Sequence, residues 1–330
     1  MRLVISIDVE EEGLFSGRYP RTPPGVDNVR ELRRLEFITS EFGFPLTLLT
    51  TYRVAVSPPC REILLYFRDL LRAEIGAHLH HWSTPPFEVL PYCEPIRSDL
   101  LPRPLLEAKF ETLLASLRDN LGIVPQAFRM GRFDIGEMVF KLLPKFGLNV
   151  DSSIVPLRRI SGGPDHFLAP PDPFRRLPDP LRPGDSILEV PLTIVPLVSA
   201  SPQLIHQLAS SISERNRDVV FTGFRYIASV GIHPAWCLLQ SMKLAVRLHR
   251  SRNGKVLNMF LHSSELKPGA SPLFPTERAV NSLVERIREF LSWLVRTGPV
   301  EGVTLCQLQA REAWDENNFC EEFKKNADAG

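Results

Sequence analysis

The sequence predicts an α/β fold built on a parallel sheet, and two observations carry that reading. Short apolar, strand-like runs recur from one end of the 330-residue chain to the other. Between most of them lie stretches with the 3.6-residue apolar spacing of helices, and strand alternating with helix is the signature of parallel α/β architecture. On the residues alone a barrel and an open sheet both fit.

The elements follow in order. Leu3–Ile7 opens the chain as a buried strand, and Asn28–Phe42 reads as the first helix. Strands are then expected at Pro45–Leu49, Glu74–Ala77, Gln126–Phe128, Leu148–Val150, Ile187–Val190, Val256–Leu261 and Gly302–Leu305. Helices are expected at Arg61–Arg72, Leu105–Leu121, Gly136–Phe146, Pro202–Arg215, Pro234–Arg250 and Thr276–Arg296. Two proline-crowded stretches, 85–104 and 156–183, suit neither helix nor central strand and are expected as ordered loops over the site mouth. One catalytic unit over 1–311 and a charged, partly flexible tail over 312–330 complete the expected organisation.

Bulk chemistry narrows the function. Lys and Arg number 39 against 38 Asp and Glu, so no global field favours nucleic acid as a partner. No apolar run approaches the roughly 20 residues of a membrane span. Cys60, Cys93, Cys237, Cys306 and Cys320 are scattered, without Cys-x-x-Cys spacing, and read as reduced thiols. With no recognisable export signal at its start, the chain is expected to be cytoplasmic.

Two clusters carry the chemistry. His78, His80 and His81 end the run Glu74–Ala77, and imidazole is the commonest ligand of zinc-like ions. Asp8 and Glu10 end the first strand, where period-two alternation gives them one face and turns Val9 to the other. The same rule pairs His78 with His80 and turns His81 away. Arg129 and Arg132 follow the strand at 126–128, Asp151 follows that at 148–150, and His262 emerges from Val256–Leu261. His206, His233 and His249 fall in helical patterns and are expected to be surface or hydrogen-bonded residues.

In order and spacing, Ser6–Glu10, Ile75–Trp82, Phe128–Phe133 and Phe260–Ser263 resemble the motifs of the polysaccharide deacetylase family, the NodB-homology or family four carbohydrate esterases. The resemblance covers roughly residues 1–310. It implies a distorted (β/α)7-type barrel and a metal-dependent hydrolase that removes acetyl groups from saccharides, with glycan or surface-polysaccharide metabolism as its setting. The family's first motif is Thr-Phe-Asp-Asp-Gly, so Asp8 matches the general base. Val9 stands at the second carboxylate, which passes the ligand role to Glu10, as in branches reading Asp-x-Asp or Asp-x-Glu. The family's His-Ser/Thr-x-x-His has Trp82 at its second histidine. A rarer His-x-His-Pro-Trp branch matches better and implies His78 and His80 as ligands of a divalent metal ion, zinc foremost. By the same resemblance Arg129 holds the base, Asp151 tunes the catalytic histidine and His262 is the general acid. Trp82, Arg132 and Phe133 are expected at the substrate. Two other readings share these residues: an allantoinase-like amidohydrolase, and a glycan-binding relative that has lost its metal.

Overall fold

The N-terminal apolar run extends over Arg2–Val9 as β1, and its alternation divides the molecule into two layers. Leu3, Ile5, Ile7 and Val9 point outward into the main apolar cluster beneath the helices. Val4 points inward, as do Ser6 and Asp8, whose side chains share a partner inside the barrel. The computed structural model describes residues 1–17, 19–21, 25–92, 95–179 and 181–311; the expected tail at 312–330 lies outside them, as do Cys93 and Cys320.

After β1 come a 3-10 segment (Asp27–Leu35), α1 (Glu36–Phe42), β2 (Thr47–Thr50), α2 (Tyr52–Ala55), α3 (Pro58–Leu71) and β3 (Glu74–Leu79). The middle of the chain contributes α4 (Arg103–Leu121), β4 (Ala127–Met130), α5 (Glu137–Leu142), β5 (Val150–Asp151), β6 (Phe174–Arg176) and β7 (Ile187–Glu189). An excursion follows through β8 (Ile194–Pro196), α6 (Ser201–Ala209), α7 (Glu214–Ala228) and β9 (Ser229–Gly231). The chain ends through α8 (Leu239–Ser251), β10 (Val256–His262), α9 (Glu277–Arg296), β11 (Glu301–Gly302) and α10 (Leu305–Arg311).

Seven parallel strands run in the order β10-β1-β2-β3-β4-β5-β7, with β6 antiparallel on the outer edge of β7. The two ends meet at a seam built by Asn258 of β10. Thr193 N–H donates to the Asn258 carbonyl at 3.2 Å, and the Asn258 side-chain amide donates to Val190 O at 3.0 Å and Ser152 Oγ at 2.9 Å. A polar residue in a buried strand thus replaces a regular ladder, which makes the barrel distorted. Its floor is apolar: Val4, Leu49, Ala127, Val150 and Leu188 pack with Leu305 and Leu308 of α10. Each such buried side chain stabilises by roughly 1.5–3 kcal/mol. No helix among the described residues is long and apolar enough to cross a membrane.

Several elements depart from the expected ones. The proline-rich stretch 156–183 holds β6, because an edge strand tolerates flanking prolines that a central one does not. The single helix expected over 202–215 ends at Ala209, before a serine-rich turn, and α7 begins separately at Glu214. The helix expected from Pro234 starts only at Leu239, since the residue before a proline is steered away from helical backbone. His233 is therefore not helical. At Gly302–Leu305 a two-residue strand gives way to α10.

Candidate active site

Asp8 and His262 end neighbouring strands in register, β1 beside β10. His78 belongs to β3, which extends to Leu79, two residues beyond the expected end, and His80 follows immediately. The C-terminal mouth thereby collects Asp8, Glu10, His78, His80 and His262, all at positions where a parallel α/β fold exposes side chains to its mouth.

At the centre, Glu10 Oε2 lies 3.5 Å from His78 Nε2 and 3.3 Å from His80 Nε2, and the two Nε2 atoms are 3.0 Å apart. The tautomers follow from the opposite ring atoms. His78 Nδ1 is 2.9 Å from the Arg129 carbonyl, and His80 Nδ1 is 2.9 Å from Glu11 Oε1. Both partners only accept, so both Nδ1 atoms carry hydrogen, and in the neutral rings both Nε2 atoms present lone pairs. Two lone pairs and a carboxylate oxygen converging in a buried space fit a cation. Three protein ligands with outer contacts to a carbonyl and a carboxylate are also the composition of a catalytic zinc site. The residues present therefore fit the divalent ion that the resemblance implies. In their free state the imidazoles face strong negative potential: burial opposes protonation of His80, but Glu11 and Glu10 raise it to about 10. Burial likewise opposes ionisation of Glu10, yet His262, His78 and His80 hold its carboxyl far below the ordinary range.

Glu11, unremarked in the sequence, is fully buried and takes Ser83 Oγ at 2.6 Å and Thr51 Oγ1 at 3.0 Å besides His80. Burial works against its charge, but His80 and these donors bring it down to about 2. The backbone at Glu10 is clamped as well: Asn28 Nδ2 donates to its carbonyl at 2.8 Å and to Ser263 Oγ at 2.8 Å.

Beside the cluster, Asp8 Oδ1 accepts from Arg129 Nη1 at 2.5 Å, while Oδ2 lies 3.8 Å from His78 Nε2 and 4.0 Å from His262 Nε2. Arg129 has no exposed surface. Its Nε donates to Ser152 O at 2.8 Å and its Nη2 to Ser6 Oγ and Ser152 Oγ, each at 2.8 Å, so all three guanidinium nitrogens are engaged and the group is fixed. Phe133 and Phe260 lie 5.4 Å on either side of it.

On the other flank, His262 Nδ1 is 3.2 Å from Glu265 Oε1, and the His262 amide donates to Glu265 Oε2 at 2.9 Å. Burial disfavours the imidazolium, but Glu265, Glu10 and Asp8 carry it to about 9, so the ring is protonated at neutral pH. His233 joins this flank. Its Nδ1 accepts from the Ala235 amide at 3.2 Å, its Nε2 faces Glu265 Oε1 at 3.9 Å, and its ring packs edge-on against Phe260. Burial drops it to about 4, which leaves it neutral. His233-Pro234 was the available signal, because that dipeptide argues against a helix there.

Asp151 does not take the expected role. Its Oδ1 accepts from Ser153 Oγ at 2.6 Å and it pairs with Glu189, away from His262; Glu265 is the carboxylate on that histidine. Strand alternation explains this, since Asp151 pairs with Glu189 in the β5–β7 ladder. Trp82 is buried and stacks on His80 at 4.3 Å, which makes it a brace for that ligand. Gly131 makes the fit possible: a Cβ there would lie 2.6 Å from His80 Cδ2 and 2.9 Å from Trp82 Cη2. Arg132 and Phe133 follow with φ of 60° and 57°, a strained turn of the kind functional sites retain, and the Arg132 guanidinium covers the Tyr19 ring at 5.0 Å. His81 turns away and is buried in a separate pocket with Phe87 and Lys109. His206 contacts Phe167, and His249 bonds Val256 O at 2.9 Å. A groove of about 750 Å³ lies at the opposite, N-terminal end, lined by Arg2, Arg250 and Lys255, and contains none of these groups.

No family model matches the chain, and no curated protein matches its sequence. Solved structures match its fold, a distorted (β/α) barrel. A polysaccharide deacetylase from Mycobacterium smegmatis aligns with a TM-score of 0.55 and 14% identity, over 93% of this chain and 88% of its own. A glycoside hydrolase/deacetylase from Parabacteroides distasonis gives 0.60 and 11% over 96% and 72%. A GH57 branching enzyme from Thermococcus kodakaraensis gives 0.52 and 10% over 94% and 71%. The fold therefore spans more than one chemistry, and the site has to distinguish them.

Proposed function

We propose that this protein is a metal-dependent deacetylase that hydrolyses the acetyl amide, or ester, of an acetylated saccharide. The observation that carries the reading is the flanking of one cation-ligand cluster by a carboxylate on one side and, on the other, a histidine paired with a second carboxylate. Asp8 is tied to a buried guanidinium, and His262 is held protonated by Glu265. Amide hydrolysis needs such a pair, because a base must take a proton from water while an acid delivers one to the departing nitrogen.

A divalent ion, zinc by donor type, held by Glu10, His78 and His80 would supply Lewis acidity at the acetyl carbonyl and acidify a water. The chain's own residues do the rest. Asp8 Oδ2, free of the Arg129 contact, accepts the water's proton. Arg129 orients that carboxylate through Oδ1. His262 donates from Nε2 to the leaving nitrogen, while Glu265, 3.2 Å from Nδ1, stabilises the ring's charge. Trp82 braces His80, and Arg132 and Phe133 border the mouth, where Arg132 is available to saccharide hydroxyls. A glycosidase would instead need two carboxylates free for acid–base or nucleophilic work. Here Glu10 faces two imidazole lone pairs and the acid opposite Asp8 is a histidine.

The features that suggested a metal-free relative have structural explanations: Val9 faces the helical layer, and Trp82 packs on a ligand. Two measurements test the proposal together. Acetate release from N-acetylglucosamine oligomers, lost in Asp8→Asn, is the expected result, with about one equivalent of zinc or a similar ion per chain that His78→Ala loses. Full retention of acetate release in Asp8→Asn would overturn the base assignment.

A further inference from the structure

Arginines gather at one side of the barrel mouth without acids to match them. Arg132 lies in the turn after β4, Arg158 in the connection from β5 to β6, and Arg225 on α7, one helical turn beyond Phe221. Phe221 is buried against Phe167, so the face it shares with Arg225 turns that arginine inward. The three belong together: Arg158 Nη1 donates to the Arg132 carbonyl at 3.1 Å, and Arg225 is the charge that bears most on Arg158. Left-handed backbone sets both loop arginines, with φ of 60° at Arg132 and 61° at Leu157, conformations that cost energy in residues other than glycine.

Aromatic rings connect this group to the chemistry. Arg132 covers Tyr19 at 5.0 Å, Tyr19 lies 4.9 Å from Trp82, and Trp82 stacks on His80. Arg158 lies 5.9 Å from the Phe133 ring, which meets Phe260 at 5.2 Å, and Phe260 meets His262 at 5.1 Å. Arg225 faces Cys237, whose amide donates to the His233 carbonyl at 2.8 Å.

Among the described residues no carboxylate is ion-paired with Arg132, Arg158 or Arg225. Arg159, one residue along, takes Asp165, Glu214 and Asp218 at 3.4, 2.7 and 3.2 Å, which leaves α7 without a free acid. Asp134 bears on Arg158, yet its Oδ2 already accepts from the Ser98 amide at 2.8 Å. Arg132 Nη1 is buried and donates to no described group. Burial, Arg225 and Arg132 bring Arg158 down to about 10, still charged at neutral pH, and burial lowers Arg225 as well. Half-buried like charges repel, so holding three of them together is costly unless an anion joins them. Guanidinium forks match phosphoryl oxygens, and a phosphoryl group carries close to two charges, where one fork already satisfies a carboxylate.

We infer that the saccharide carries a phosphoryl group, bound by Arg132, Arg158 and Arg225. Arg132 serves sugar hydroxyl and phosphoryl oxygen alike, since a guanidinium has five donors. The inference rests on the deacetylase reading for the acetylated part of the ligand and on the arginines alone for the phosphoryl part.

Calorimetry on the full-length protein tests it, with N-acetylglucosamine, its 1-phosphate and its 6-phosphate, the corresponding N-acetylated uronate, and inorganic phosphate as probes. Expected is at least one phosphate ester that binds about tenfold or more tighter than the neutral sugar, competes with inorganic phosphate and weakens with salt. Arg158→Gln and Arg225→Gln should each remove most of that preference, and Arg225→Lys should recover part of it. Metal content is measured alongside; where it matches wild type, the difference belongs to the arginines and not to phosphate on the metal. If Arg158→Gln does not fold, Arg225→Gln decides. Inorganic phosphate that binds the wild type and the variants alike, a neutral sugar as tight as both esters, or a uronate tighter than either would overturn the inference. Arginine-dependent phosphate binding without any acetate release would sink the deacetylase reading and leave this inference standing. Acetate release from neutral oligomers without arginine-dependent phosphate binding would do the reverse.

Discussion

Replacing Glu265 by Gln isolates the electrostatic part of the site. Gln keeps the size and retains a carbonyl oxygen for the His262 amide, now donating at 2.9 Å to Glu265 Oε2, while removing the charge that lies 3.2 Å from His262 Nδ1. At that separation and an effective dielectric near 20 the attraction is roughly 5 kcal/mol before desolvation is subtracted. An adjacent opposite charge moves a pKa by about 1–3 units in practice, each worth about 1.4 kcal/mol. Glu10 and Asp8 remain, so His262 should fall from about 9 toward the ordinary imidazole range without going below it. His262 acts in its protonated form, so activity is present below its pKa and lost as pH rises through it. The alkaline limb of kcat/KM, which reports the free enzyme, should therefore move down by about 1–3 units. Near pH 6 the loss should be small; near pH 8.5 it should reach about tenfold or more. Folding stability follows the same sign: the raised His262 pKa contributes fully below about 6.5 and fades through about 9, and the variant should lose most of that contribution. A bound cation lowers the pKa in both proteins, so the test is the displacement between the two alkaline limbs and not their absolute position. An alkaline limb that stays in place in Glu265→Gln would refute the assignment of Glu265 as the carboxylate that charges the acid.

Asp8→Asn should cut acetate release by about 10²–10⁴ and lower stability by about 3–5 kcal/mol, because Arg129 is left buried without its counter-charge; turnover assays and chemical denaturation check the two parts. Glu11→Gln should weaken zinc binding about 10–100-fold, read by competition with a chelating dye, since Glu11 sets the tautomer of His80. Gly131→Ala should destabilise by about 1–3 kcal/mol and lower metal content, as its Cβ collides with His80 and Trp82. Glu189, buried against Asp151, has its carboxyl raised well above the ordinary range by burial and by that neighbour, so it favours folding at low pH and loses that contribution as pH rises. Glu189→Gln, which mimics the protonated form, should therefore exceed wild type in urea denaturation near pH 8.5 and not near pH 4.

Strand periodicity made a large part of this molecule legible. Leu3–Ile7 and Glu74–Ala77 are apolar enough to be recognised as buried strands, and alternation then assigns Asp8 with Glu10 and His78 with His80 without any knowledge of the fold. The α/β barrel expected from strand-helix alternation and the family motifs is the fold observed. What alternation cannot supply is the partner from another element. Glu11 follows two other acidic positions and reads as a solvated end of a strand, yet Thr51 and Ser83 bury it against His80. Asp151 looked like a tuner because it follows a strand at the family's position, while Glu265 does the touching from three residues beyond His262. His233 was hidden because the apolar spacing of α8 runs on smoothly into Pro234. Helix α7 was missed for a related reason: its apolar residues occur on two faces, which blurs the single stripe that marks an amphipathic helix.

Arg129 shows why these local patterns add up to one site. It sits opposite His78 in the β3–β4 register, and its two halves serve different neighbours. The carbonyl fixes the tautomer of His78 at 2.9 Å, while the guanidinium reaches across the barrel to Asp8 on β1. The position of the His78 ring and the orientation of the Asp8 carboxylate therefore depend on the same residue. Because the side-chain period of a strand is two, slipping β4 by one residue would turn the guanidinium out of the barrel and remove that carbonyl from His78 together. The seam at Asn258 works in the same direction: its amide bonds Ser152 Oγ, which itself accepts from Arg129 Nη2. The irregular closure of the barrel and the geometry of the base are thus joined through two hydrogen bonds. A polar interior at the level of Ser6, Ser152 and Asn258 costs apolar burial, and what it supports is a guanidinium held without freedom to leave Asp8.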